Sequence, residues 1–216
     1  MRDNGVDHDE RAAERELAQG LIAAGNSGTL LVTGLSGMGK SQLLRAILPV
    51  DSGWKAFYFK ADAYEAGMPF AAAERLLRQL SQRRPIEQEP DVAANPQRMG
   101  ALLLDALDRV RTPVFLAIDD AQWIDPQSAI ALRFAVQRLI EGRFFVAVAS
   151  RPMGEPNALV DLVGGFVGRS DQHAELRLEP LSTEQVRAVA ARQVHRGVSQ
   201  RSARALREAT GGSPRC

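Results

Sequence analysis

Three lysines occur in this chain, Lys40, Lys55 and Lys60, and the first closes the run Gly34-Leu35-Ser36-Gly37-Met38-Gly39-Lys40-Ser41. The spacing is G-x-x-x-x-G-K-[ST], the pattern of a loop that wraps a phosphate chain. A triphosphate tail needs many short donors converging on it, and glycines at 34, 37 and 39 let backbone N–H groups approach with no Cβ in the way. Lys40 would reach the β- and γ-phosphates as a point charge, and the Ser41 hydroxyl would ligate Mg²⁺, which prefers oxygen ligands in octahedral geometry. The expected nucleotide contacts are therefore Gly34, Leu35, Ser36, Gly37, Met38, Gly39, Lys40, Ser41 and Gln42, with Lys40 also catalytic. The structural alternative is a Gly-rich strand-to-helix turn that holds no ligand, and it leaves the placement of the lysine unexplained.

A second set of groups follows the apolar run Val114-Phe115-Leu116-Ala117-Ile118, which ends in Asp119-Asp120. Two carboxylates at the end of a buried strand are costly to desolvate, and Mg²⁺ is a natural compensating charge. Asp119 would hold the metal, through water, while Asp120 would orient or deprotonate the attacking water. A pair of solvated turn acids is the bland alternative. A third apolar run, Phe144 to Ala149, finishes in Ser150-Arg151. Arg151 is expected to read the γ-phosphate from the edge of a neighbouring strand, against the alternative of a surface arginine before Pro152.

These groups must be carried by strands that end together. The run Thr29-Leu30-Leu31-Val32-Thr33 precedes the glycine loop, and Ala56-Phe57-Tyr58-Phe59 supplies another strand. A helix should start near Lys40 and stop by Pro49. Phe70, Ala73, Leu77 and Leu80 share one helical face, Met99, Leu102, Leu103, Ala106 and Val110 another, and Ile130, Phe134 and Leu139 lie on the helix after the aspartates. Strands alternating with helices predict an α/β fold: a doubly wound parallel sheet flanked by helices, with its ligand at the carboxyl ends of the strands. Residues 1–10 read as a disordered tail and Ser81 to Pro96 as an exposed loop. A helix runs from Glu10 to Ala24. Residues 11–168 would form the nucleotide-binding core, with Arg151 to Gly168, rich in Gly and Pro, as a hinge. Residues 169–216 would supply an edge strand from Ala174 to Leu178 and the start of a helical lid: one helix capped by Ser182 with Gln185, and one from Ser199 to Ala209 ending at Gly211.

With these residues in view, the chain resembles the nucleotide-binding domain of large LuxR-type ATP-binding regulators, a branch of the P-loop signal-transduction ATPases related to the AAA class. Asp119-Asp120-Ala121-Gln122-Trp123-Ile124-Asp125-Pro126 is similar to that family's extended Mg²⁺-site signature, and Glu65-Ala66-Gly67-Met68-Pro69-Phe70 to the segment that opens its helix between the two sites. Leu178-Glu179-Pro180-Leu181-Ser182 resembles the start of its lid, and Gly211-Gly212-Ser213-Pro214 its Gly-x-Pro element over the base, which adds Pro214 to the binding residues. The family's Gly-Arg pair before Glu-x-Glu-Leu is Ala12-Ala13 here. The resemblance implies a cytoplasmic bacterial regulatory switch that binds ATP or ADP with Mg²⁺ and hydrolyses ATP slowly. It also implies possible self-association and regulatory and DNA-binding domains outside this chain. A nucleotide-holding module without meaningful hydrolysis is the alternative, and a small-molecule kinase is a third possibility for which no acceptor-site signature stands out.

Composition sets the outer bounds. With 216 residues, 45% apolar, the chain can bury a full core. Its net charge of +1 argues against an electrostatic nucleic-acid binder, and five lid arginines at helical spacing, Arg192, Arg196, Arg201, Arg204 and Arg207, read as a solvated face. No direct nucleic-acid contact is expected on that ground. The single cysteine, Cys216, leaves no disulfide framework within the chain, and the absence of a long apolar run gives no expectation of a membrane partner.

Overall fold

A computed structural model describes residues 11–24, 27–49, 53–81, 95–139, 144–152, 157–166, 172–194 and 197–213. The expected tail at 1–10, most of the loop between Ser81 and Pro96, Pro214 and Cys216 lie outside the described residues.

The apolar runs form five parallel strands: β1 (Gly28–Thr33), β2 (Lys55–Lys60), β3 (Val114–Asp119), β4 (Phe144–Ser150) and β5 (His173–Arg177). Their spatial order is β2-β3-β4-β1-β5. The three central strands are buried almost throughout, which is why β3 and β4 read as unbroken apolar runs rather than alternating ones. Register sets the carboxyl ends side by side: Lys60 opposite Asp119, and Thr33 opposite both Ser150 and Arg177.

Eight helices accompany the sheet among the described residues: α1 (Ala12–Ala24), α2 (Lys40–Ala46), α3 (Ala71–Ser81), α4 (Pro96–Asp108), α5 (Pro126–Leu139), α6 (Ala158–Phe166), α7 (Thr183–Gln193) and α8 (Gln200–Thr210). Strand residues alternate between two cores. Leu31, Phe57, Phe59, Leu116, Ile118, Val146 and Val148 face α3, α4, α5 and α6, whereas Leu30, Val32, Phe115, Ala117, Phe145 and Ala147 face α1 and α2. Phe115 and Phe145 stack across β3 and β4 with ring centroids 5.5 Å apart. The sheet is thus doubly wound, as expected, and the edge strand and both lid helices form where the capping signals place them. Ser182 and Gln185 exchange hydrogen bonds at 3.2 and 2.9 Å in a capping box, Ser199 caps α8, and Gly211 closes it at φ 62°.

One sequence expectation fails. The stretch from Arg151 to Gly168 is not a hinge over its described part, because 158–166 form α6, whose Leu159, Val160 and Val163 are buried against the sheet. Asn157 starts that helix by accepting from the backbone N–H groups of Leu159 and Val160. Ile130, Phe134 and Leu139 lie on α5 as expected, and that helix buries Ser128, Ala129, Ala131, Leu132, Ala135 and Val136 while Ile130 is 40% exposed. Small residues dominate that face because α4 crosses close by: a Cβ on Gly100 would lie 2.8 Å from the Ala131 carbonyl oxygen. The helix after the glycine loop ends at Ala46 with Ile47 as its C-cap, short of Pro49 as expected.

Asp125 ties the two halves of this face together. Its fully buried carboxylate accepts from the N–H groups of Phe70 and Ser128 at 2.9 Å and of Ala72 at 3.3 Å, so one side chain caps both α3 and α5. Phe70 is held there at φ 63°, unusual for a bulky residue.

Candidate functional site

The glycine loop joins β1 to α2 at the carboxyl edge of the sheet. Gly34, Gly37 and Gly39 have φ of 153°, 82° and 90°, values that disfavour any side chain. A Cβ on Gly34 would also come within 2.8 Å of the Leu178 carbonyl oxygen, so that glycine is required by packing as well as by backbone shape. Lys40 is buried, and its Nζ donates to the carbonyl oxygens of Gly34 and Leu35, both at 2.7 Å. The ammonium is therefore folded back against the loop that it would share with a phosphate.

One polar cleft opens at this edge, lined by Ser36, Gly37, Gly39, Lys40, Ser41, Gln42, Lys60, Asp120 and Arg151. Six expected loop residues and the expected Asp120 and Arg151 thus meet in one place from three strand ends. The remaining expected residues do not line it. Gly34 sits under Leu178, Leu35 is 61% exposed, and Met38 is buried on the α1 side. Asp119 is wholly buried at the end of β3, behind Asp120, where its Oδ2 accepts from the Tyr58 hydroxyl at 2.7 Å and its Oδ1 from the Asp120 N–H at 2.9 Å. Burial, and then the bond to Asp119, push the Tyr58 phenol up to about 12, so it stays a donor.

Asp120 occupies a left-handed conformation, φ 51°, at the turn after β3. Its carboxylate lies between two cations, with Lys60 Nζ at 3.2 Å and Arg151 Nη2 at 4.0 Å. Burial pushes this carboxyl up. The hydrogen bond from Gln122 and the charges of Lys60 and Arg151 outweigh burial and hold it below its ordinary value. Gln122 also bridges the pair, since its Nε2 donates to Asp120 Oδ1 at 3.2 Å while its Oε1 accepts from the Arg151 N–H at 3.0 Å.

Lys60, Gln122 and Tyr58 were not singled out from sequence. Lys60 and Tyr58 lie near the carboxyl end of β2, and the rule that ligands sit at strand carboxyl ends is the signal that points to Lys60. Trp123 packs against the core beside this turn.

The donor set fits a Mg-nucleotide. Arg151 Nε is buried with no hydrogen-bond partner, as though a further acceptor belonged beside it. Oxygen donors suit Mg²⁺ rather than a softer metal: the Ser41 hydroxyl lines the cleft, whereas Asp119 lies behind Asp120 with both oxygens accepting hydrogen bonds, so it would reach a metal only through water.

The fold is that of known AAA-class nucleotide-binding proteins. This chain is similar to the Aeropyrum pernix ORC1 protein in complex with DNA (17% identity, TM-score 0.61, 86% of this chain and 48% of that one). It is also similar to Cdc6p from Pyrobaculum aerophilum (15%, 0.64, 92% and 53%) and to AMPPCP-bound DnaA from Aquifex aeolicus (13%, 0.59, 94% and 58%). At these identities the likeness is one of fold, and the chain spans about half the length of each. No curated protein sequence matches it significantly. The expectation of no nucleic-acid contact is corrected here. ORC1 shares this fold and is found on DNA, so a near-neutral net charge, which averages over the whole surface, does not exclude such a contact. No helix among the described residues is long and apolar enough to cross a membrane. Residues 10–148, more than half of the sequence, match the family model of the AAA ATPase domain. The chain belongs to the AAA ATPase domain family.

Proposed function

We propose that this domain binds Mg-ATP in the cleft between the glycine loop, Asp120 and Arg151, and acts as a slowly hydrolysing regulatory switch. The observation that carries this is the meeting of Lys40, Ser41, Asp120 and Arg151, from three strand ends, in one polar cleft. Lys40 would exchange its two carbonyl partners for phosphate oxygens, and Arg151 would turn its unsatisfied Nε toward the γ-phosphate. Ser41 would hold Mg²⁺ directly and Asp119 through water, and the ion when bound neutralises charge on the β- and γ-phosphates. Asp120 would orient the attacking water. A carboxyl held below its ordinary value is a weak proton acceptor, so orientation fits it better than deprotonation. The Gly-x-Pro and paired-aspartate motifs favour a switch in a bacterial transcriptional regulator of the LuxR type.

A second reading, nucleotide held without turnover, is favoured by the same ion pairs, because Lys60 and Arg151 compete with a water for the Asp120 carboxylate. Single-turnover phosphate release from Mg-ATP separates the two. Release that requires Lys40 and is lost in Asp120→Asn supports the switch. Tight ATP binding with no release supports the holding module, and no binding at all would sink both.

A further inference from the structure

Two side chains from opposite ends of the described chain grip the glycine loop from outside the cleft. Arg11, just before α1, donates through Nη2 to the Met38 carbonyl oxygen at 3.1 Å. Ser213, just after α8, donates through Oγ to the Gly37 carbonyl oxygen at 3.0 Å. In a trans peptide the C=O of one residue and the N–H of the next point in opposite directions. A carbonyl held outward at Gly37 therefore turns the Met38 N–H inward, and one held outward at Met38 turns the Gly39 N–H inward. These peptides need holding, because the glycines on either side, both at positive φ, impose little steric preference of their own.

We infer that Arg11 and Ser213 are positioning residues which aim the Met38 and Gly39 N–H groups at the phosphates and so couple lid position to nucleotide affinity. Inside the loop, Met38 N–H makes only a long bond, 3.4 Å, to the Leu35 carbonyl oxygen, a contact that a phosphate oxygen can replace. Arg11 is built into its place by Glu14, at 2.8 Å, and by the Glu179 carbonyl oxygen, at 2.6 Å, in the segment leading to α7. Ser213 is set by the turn after α8, where Leu181 N–H donates to the Gly212 carbonyl oxygen at 2.9 Å and Arg207 Nε to the Leu181 carbonyl oxygen at 3.0 Å. Both ends of the lid segment are thereby fastened to adjacent peptides of the loop. A lid that swings away takes the Ser213 bond with it and frees the Gly37–Met38 peptide to turn. By linkage, nucleotide bound to the aligned loop must in return favour the fastened lid.

This inference rests on the nucleotide-binding reading, and the test separates the two. Arg11→Ala, Ser213→Ala and their conservative partners Arg11→Lys and Ser213→Thr are compared with the parent chain. Amide exchange at Met38 and Gly39 is followed without nucleotide, and affinity for Mg-ADP and Mg-ATP by calorimetry. Each alanine variant is expected to exchange faster at those two amides and to bind both nucleotides about tenfold more weakly, with recovery in the conservative variants. Those variants also guard against misfolding, which a thermal melt detects. Unchanged exchange, or faster exchange with unchanged affinity, overturns the inference. If the parent chain binds no nucleotide, the proposed function fails, and the exchange comparison still decides whether Arg11 and Ser213 hold the loop.

Discussion

The Tyr58 hydroxyl stands 2.7 Å from Asp119 Oδ2, although Tyr58 pairs with Ala117, two residues before Asp119 on the neighbouring strand. A buried carboxylate at a strand end is thereby supplied with a donor from its neighbour before any metal arrives. Tyr58→Phe removes that donor and leaves Asp119 under-satisfied. The expected cost is about 1–3 kcal/mol of stability, read by denaturant unfolding. The sign with pH is definite. A phenol raised to about 12 in the folded state contributes stability fully present below about pH 10 and lost as pH rises toward 12. The parent chain should therefore lose stability over that alkaline window more steeply than Tyr58→Phe does.

Asp120 should answer to its cationic neighbours in the opposite direction. Its carboxyl is held below the ordinary value, so its contribution is present above about pH 3.8 and is lost as pH falls through the lower folded value. Lys60→Ala and Gln122→Ala each remove a group that lowers it, and the carboxyl should titrate at higher pH in both. A carboxyl-resolved NMR titration measures this directly, and an unmoved Asp120 would show that Lys60 and Gln122 do not set its charge.

Lys40→Ala should weaken Mg-ATP binding by roughly ten- to a hundredfold, the worth of a charge-assisted contact. Because Lys40 Nζ also ties the Gly34 and Leu35 carbonyls, the free loop should loosen as well. Calorimetry on the variant checks the first effect. Affinity equal to the parent's would remove Lys40 from the site.

Gly100→Ala probes the fold away from the cleft. The new Cβ would meet the Ala131 carbonyl oxygen at 2.8 Å and Phe134 Cβ at 2.9 Å, so α4 and α5 must separate. A loss of about 1–3 kcal/mol is expected from overpacking, with nucleotide affinity kept. A thermal melt beside a binding isotherm distinguishes this from damage to the site.

Leu159→Ala tests α6 as core rather than hinge. Leu159 is fully buried beneath the sheet, and its truncation should cost about 2–5 kcal/mol. A stability change near zero would return this stretch to the role of a connector.

Much of this architecture is local and was therefore legible in the chain. The glycine loop, the apolar runs ending at Asp119 and Ser150, the Ser182–Gln185 box and the Gly211 stop each specify their own backbone with residues close in sequence. The α6 helix was hidden because Gly164 and Gly165, read by propensity, argue against a helix, and only the burial of Leu159, Val160 and Val163 against the sheet outweighs them. The buried face of α5 is not marked in the sequence, because alanines opposite Gly100 carry little hydrophobic signal of their own. What the tertiary structure alone decided is which distant groups meet: Lys60 beside Asp120, Tyr58 beneath Asp119, Gln122 between Asp120 and Arg151, Arg11 and Ser213 on the loop carbonyls. The physical reason is the parallel sheet itself. Each strand must return through a crossover, so neighbours in space are far apart in sequence, and the strand order that makes them neighbours is set by the packing of helices on both faces.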